Sequence, residues 1–237
     1  MQAGSRIVWV LAAALGFVLL TRAKAHALPA TACVYGGLPA LPKSREDQIR
    51  RLRQALRLAN SSLATYRIDA GAGLSLLYLD VLAAMFWDAS FRYGVPLDLV
   101  VGLAHYETRG NPFAPHVARV AVALRISNNG SLCTSGSEVG PMQVKPCAFR
   151  DVGMDPARLL SMTSAQRVAA SIEAGVKYLA LVRRRFGASW CDVLQAYNQG
   201  PTAYLRGFNS TQRVAAETYS QGVLSAADQY SELKISA

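Results

Sequence analysis

Between residues 43 and 66, Ile49, Leu52, Leu56, Ala59 and Leu63 recur at spacings of three, four, three and four. An α-helix brings positions with that spacing onto one stripe, whereas a strand sends alternate residues to opposite faces. The segment is therefore predicted to be an amphipathic helix. Arg50, Arg51, Arg53 and Arg57 fall mostly off the stripe and are expected to form a solvated basic face. The sequence continues in the same helical mode. Residues 69–73 break the pattern, and 74–92 are predicted to form a strongly apolar helix. Tyr93-Gly94-Val95-Pro96 then ends one helix and opens the next, over 97–108. Thr163-Ser164-Ala165-Gln166 has the form of a capping box, with a helix to about residue 186 behind it. Ser189-Trp190-Cys191-Asp192 has the related S-x-x-D form before a short helix, and a last helix covers about 211–233. The loop-rich stretch 111–145 holds Asn128-Asn129-Gly130 and Ser135-Gly136. Short strands are expected only within 117–145, where Val117, Val120, Val122 and Leu124 sit. The expected architecture is mainly helical. A hydrophobic fraction of 51% against 17% charged residues supplies a packed core and excludes a disordered chain.

The first 27 residues are set aside from the fold. Arg6 precedes an apolar run of fourteen residues, Ile7 to Leu20, and Ala23-Lys24-Ala25 and Ala25-His26-Ala27 offer overlapping A-x-A sites. This is the pattern of a secretory signal peptide, with an apolar run too short for an ordinary membrane span. No stable span is expected after cleavage. The whole chain carries a formal charge of +10, and removing the leader leaves 22 basic against 15 acidic residues. A basic exported chain meets envelope polyanions rather than nucleic acid. Cys33, Cys133, Cys147 and Cys191 remain, an even number that suits two disulfides with three possible pairings. None forms a C-x-x-C pair, and the histidines show no ligand spacing, so neither a metal site nor a cofactor is expected.

Glu107 is the residue out of place. Val100, Leu103, Ala104 and Glu107 fall at i, i+3, i+4 and i+7, so the acid shares the apolar face of the 97–108 helix. It also lies in the last turn, where the negative end of the helix dipole disfavours a carboxylate. Both effects push toward a protonated acid near neutral pH, which suits a group that must give a proton to a leaving oxygen.

Four segments around it resemble one family. The run Tyr93-Gly94-Val95-Pro96 through His105-Tyr106-Glu107-Thr108-Arg109-Gly110-Asn111-Pro112 is similar to the soluble lytic transglycosylase (SLT, goose-lysozyme-like) family, in which a helix ends in Glu-Ser before an Asn-Pro turn. Gly140-Pro141-Met142-Gln143 resembles its Gly-Leu-Met-Gln motif, and Ala196-Tyr197-Asn198-Gln199-Gly200-Pro201 its Ala-Tyr-Asn-Ala-Gly-Pro motif. Ile172, Gly175, Tyr178 and Leu179 match the helix that carries Ile-x-x-Gly-x-x-Tyr-Leu. Thr108 replaces Ser, Pro141 replaces Leu, Gln199 replaces Ala, and the interval from Glu107 to Gly140 is longer than usual. The resemblance implies a lysozyme-like α+β catalytic domain, placed here at 74–237 behind a leader and helical extension at 28–73.

It further implies an enzyme of the bacterial periplasm that cleaves the MurNAc-β-1,4-GlcNAc bond of peptidoglycan and leaves 1,6-anhydroMurNAc ends. Glu107 is then the single catalytic acid and base. Gln143 and Asn198 offer a donor and an acceptor each to acetamido and hydroxyl groups. Gly140 admits a close saccharide, Met142 forms either a soft cleft wall or core, and Tyr197 is expected to pack its ring and free its hydroxyl for the cleft, with Thr108 beside the acid. No second carboxylate lies in these motifs; Glu138 is the near candidate and reads as solvated. The alternatives are a hydrolytic muramidase that uses water and a non-catalytic peptidoglycan-binding scaffold. Opening the wall for a secretion or conjugation machine is compatible with the first reading, with the 43–66 helix as the place to look for such a partner.

Overall fold

The structure is a computed structural model and describes residues 44–108, 138–187 and 189–235. The proposed leader, Cys33, Cys133 and residues 117–137 of the expected strand region lie outside the described residues.

Helix α1 (Arg45–Ala59) begins where Ser44 accepts a hydrogen bond from the Asp47 amide, with Glu46 and Asp47 in the first turn complementing the dipole. Ile49, Leu52 and Leu56 are buried as the stripe requires, and Leu63 is buried in a 3₁₀ turn that follows (Ser61–Leu63). Ala59 is exposed and Ala55 takes its place. The basic face is less free than expected. Arg53 and Arg57 both reach Asp80, at 2.9 and 3.2 Å, and Arg45 reaches Asp88 at 2.9 Å. Such exposed pairs are worth about 0–1 kcal/mol each, so they orient α1 on its neighbour more than they stabilise it.

Strands β1 (Arg67–Gly71) and β2 (Leu74–Leu77) form an antiparallel hairpin, with Ile68 opposite Leu76 and Asp69 opposite Ser75. The chain reverses at Ala72 and Gly73, both at positive φ (52° and 74°), as a two-residue hairpin turn demands. This corrects two expectations. Strands occur outside 117–145, and the next helix, α2 (Tyr78–Tyr93), starts four residues later than residue 74. Leu74, Ser75 and Leu76 are all exposed, so their apolar character carried no information about a buried helical face. The division at 73/74 falls inside this hairpin.

Helix α3 (Leu97–Thr108) spans its predicted range and is buried all round from Asp98 to Ala104, the mark of a central helix. Helix α4 (Pro146–Asp151) and a 3₁₀ turn (Pro156–Ser161) lead to α5 (Ser164–Phe186), whose Thr163 capping box is complete in both directions. Helices α6 (Trp190–Gln199), α7 (Pro201–Arg206) and α8 (Ser210–Ile235) finish the chain. Among the described residues the fold is mainly α with one small sheet, as expected of a lysozyme-like chain. Its core joins Leu82 and Phe86 of α2, Leu99 and Leu103 of α3, and Ile172 and Leu179 of α5 to α6 and α8. The tightest crossing is α3 on α8. A Cβ on Gly102 would stand 2.5 Å from the Ala227 amide nitrogen, and one on Gly222 would stand 2.2 Å from the Tyr106 ring. Side-chain-free positions on both helices thus fix their register. Among the described residues no helix is long and apolar enough to cross a membrane.

Candidate active site

The α3–α8 register has a direct consequence for Glu107. It puts Tyr219 of α8 against Tyr106, rings edge to face at 5.2 Å, and lets the Tyr219 hydroxyl donate to Glu107 Oε1. Burial, with the Glu107 carboxylate adding to it, holds the Tyr219 hydroxyl well above its ordinary pKa, so it remains a donor at neutral pH. Glu107 is half-buried and opens onto a cleft of about 800 Å³. Tyr219 was not singled out from sequence. A signal existed: Ala216, Tyr219, Val223, Ala227 and Tyr230 form the buried stripe of α8, and a tyrosine in such a stripe needs a partner for its hydroxyl.

The segment Gly140–Gln143 closes a tight loop over an isolated antiparallel bridge between Val139 and Val144. Gly140 and Gln143 both take positive φ, 73° and 49°. The Gln143 side chain donates to the Gly140 carbonyl at 2.8 Å, so part of its hydrogen-bonding capacity braces its own loop. One sequence reading changes here, and one left open falls on its core alternative. Gly140 does not line the cleft; it is pressed against α5, where a Cβ would lie 1.9 Å from Ser171 Oγ. Met142 is fully buried and packs on Gly175, where a Cβ would come within 2.8 Å of its sulfur. Met142 is core rather than cleft wall, and Gly175 is small to receive it.

Tyr197 also departs from expectation. Its ring packs edge-on to Tyr178 at 5.7 Å, but its hydroxyl donates to the Met142 carbonyl at 2.8 Å instead of standing free. Burial first, then the nearby Glu107 carboxylate, raise its pKa well above the ordinary value. Tyr178 is pushed up to about 12 by burial, with Asp151 adding and Arg185 opposing. Asn198 is exposed on the cleft, its amide oxygen accepting from Gln199. Thr108 donates its hydroxyl to the Ala104 carbonyl at 2.9 Å, back-bonding within α3.

Of the residues proposed from sequence, Glu107, Gln143, Tyr197 and Asn198 therefore meet on the cleft, while Thr108, Gly140 and Met142 do not line it. Glu138 lines it too, 3.8 Å from Lys145, as does Asp151. Cys147 borders the cleft at the start of α4, and Cys191 begins α6; both are disulfide-bonded. Among the described residues no group of three or more His, Cys, Asp or Glu is placed to hold a metal ion.

The family model described as Transglycosylase SLT domain matches residues 84–220. That interval contains all four motif segments and runs from α2 to Ser220 of α8, one residue beyond Tyr219. No curated protein and no solved structure matches the chain.

Proposed function

From the premise that the chain belongs to the Transglycosylase SLT domain family, we propose that Glu107 is its single catalytic acid and base and that it breaks the MurNAc-β-1,4-GlcNAc bond without water. Membership itself makes the protein a lytic-transglycosylase-type enzyme of peptidoglycan, acting at an extracellular or periplasmic site. The observation that carries the finer reading is the half-buried Glu107 on the cleft with one carboxylate oxygen occupied by the Tyr219 hydroxyl.

In this mechanism Glu107 gives its proton to the glycosidic oxygen as the bond to the anomeric carbon breaks. The N-acetyl group of the muramic sugar assists from the other face. The Glu107 carboxylate then takes the proton of the sugar's O6 hydroxyl, and O6 closes on the anomeric carbon to give the 1,6-anhydro end. A glycosidase with two working carboxylates holds them about 5–9.5 Å apart. Glu138 sits beside Lys145 and is assigned no step. Asn198 and Gln143 position the sugar substituents, and Tyr197 holds the Met142 loop through its carbonyl. Opening the wall locally for a secretion or conjugation machine remains compatible with this activity, and a cleavable leader would deliver the enzyme to the periplasm.

The test is mass spectrometry of muropeptides released from purified sacculi. Anhydro ends are expected; reducing ends, heavier by one water, would assign a hydrolytic muramidase, and no release a scaffold. Glu107→Gln, which is isosteric, is expected to fold and to lose at least about a hundredfold in rate, the scale of general acid–base catalysis.

A further inference from the structure

Two helices stop at the cleft with an arginine in their last turn: α5 with Arg185 and α7 with Arg206. Several other arginines are held in ion pairs. Arg45 meets Asp88, Arg53 and Arg57 meet Asp80, and Arg92 meets Glu173 at 3.1 Å. Within the cleft Lys145 has Glu138. Among the described residues Arg185 and Arg206 make no ion pair, and Asp151, which shares the cleft, forms none with either. A last-turn position makes an unpaired cation tolerable through the helix dipole. It does not account for two such cations, from separate helices, lining one cleft together with the neutral hydrogen-bonding groups of Thr202 and Gln212.

Guanidinium groups are planar forks that match carboxylates, and they hold them with charge-assisted bonds. Resting on the function proposed above, we infer that Arg185 and Arg206 form a carboxylate-binding subsite that selects glycan strands with anionic substituents. Two sources present that chemistry: the carboxylates of the peptide stems, and the lactyl carboxylate of a muramic sugar stripped of its stem. An N-acetylglucosamine oligomer presents neither.

The experiment uses the full chain with Glu107→Gln, so that strands stay intact, with and without Arg185→Gln plus Arg206→Gln. Both arginines are exposed, and unchanged thermal melts check the fold. Binding is measured for peptide-bearing strands, amidase-stripped strands and an N-acetylglucosamine oligomer of similar length, at low and high salt. The arginine changes are expected to weaken carboxylate-bearing strands by at least about fivefold at low salt, less at high salt, and to leave the oligomer unaffected. Loss confined to peptide-bearing strands identifies the stem as the source, loss confined to the stripped strands the lactyl group, and loss on both shows that the subsite takes either carboxylate. No loss on either, or an equal loss on the oligomer, overturns the subsite while leaving the proposed function in place. A Glu107→Gln protein that binds no glycan overturns the proposed function, and the subsite with it.

Discussion

Gly140→Ala separates two accounts of the same glycine. If Gly140 serves a saccharide that approaches its backbone, a methyl group should damage substrate binding and spare the fold. The structure gives the opposite outcome. The added Cβ would lie 1.9 Å from Ser171 Oγ and 2.3 Å from Ser171 Cβ, on a serine with no exposed surface whose hydroxyl donates to the Val168 carbonyl. Overpacking of a closed site costs about 1–3 kcal/mol. The backbone adds to this, because φ of 73° costs a residue with a Cβ about 1–2 kcal/mol relative to glycine. The expected loss is about 2–5 kcal/mol, or roughly 4–20 °C in melting temperature for a chain of this size. Ser171→Gly in the same protein removes both close atoms and leaves Ser171 Cα, at 3.8 Å, as the nearest one. The double variant should recover the steric part, with a coupling of about 1–3 kcal/mol in a double-mutant cycle, and retain the backbone part. The assay is chemical denaturation of the four proteins alongside cleavage of sacculi. A Gly140→Ala protein within about 0.5 kcal/mol of wild type, but slow on sacculi, would refute the packing account.

Tyr219→Phe removes the donor to Glu107 Oε1 while keeping the ring against Tyr106. A hydrogen bond to a charged group is worth about 1.5–3 kcal/mol, so cleavage should slow by about tenfold or more with KM little changed, and a rate within twofold of wild type contradicts the assignment. Burial and the Glu107 carboxylate keep Tyr219 and Tyr197 protonated above their ordinary range, whereas in the unfolded chain both ionise near pH 10. The unfolded state then holds fewer protons than the folded one, so stability is full below about pH 10 and falls as pH rises above it, and Tyr219→Phe makes the fall shallower. Denaturant melts from neutral to strongly alkaline pH read this, and a flat profile in the wild type refutes it. For the disulfides, one is expected to join two of Cys133, Cys147 and Cys191 and to pin one side of the cleft, with Cys133 to Cys147 favoured because it closes a short loop worth roughly 3 kcal/mol. Peptide mapping of non-reduced protein decides it, with all three as free thiols, or only Cys33 linked elsewhere, as the refuting result.

Most helices were legible because their signals are local. The α3 boundaries follow from a Gly-Pro turn signal before the helix, and those of α5 from a capping box whose two bonds both form, Thr163 Oγ1 from the Gln166 amide and Gln166 Oε1 from the Thr163 amide. The hairpin was not legible for a physical reason. β2 presents Leu74 and Leu76 to solvent, so no buried face marked its period, and Gly71-Ala72-Gly73 read as a simple break. The short helices α4 and α7 each begin at a proline, Pro146 and Pro201, which fits a first helical position but also fits a loop.

The site was half legible, and the division follows what each residue touches. Glu107 could be found because an acid on an apolar face near a helix C-terminus conflicts with two local preferences at once. The motif residues around it were read as saccharide contacts, yet several are held to one another. Gly140 rests on Ser171, Met142 on Gly175, and Tyr197 binds the Met142 carbonyl. These three contacts lock the 139–144 loop to α5 and α6, and of the motif residues in them and beside them Gln143, Tyr197 and Asn198 line the cleft. A separate set, Gly102 on Ala227 and Gly222 on Tyr106, locks α3 to α8 and delivers Tyr219 to Glu107. The proposed acid and the proposed sugar-positioning groups thus stand on two different packed interfaces. Spacing along the chain cannot express that arrangement, because each interface joins residues tens to more than a hundred positions apart, as from Tyr106 to Gly222. It also explains why glycine recurs in the motifs: at Gly140 and Gly175 what the cleft needs is a missing side chain, so that a neighbouring element can close in behind the residues that face the sugar.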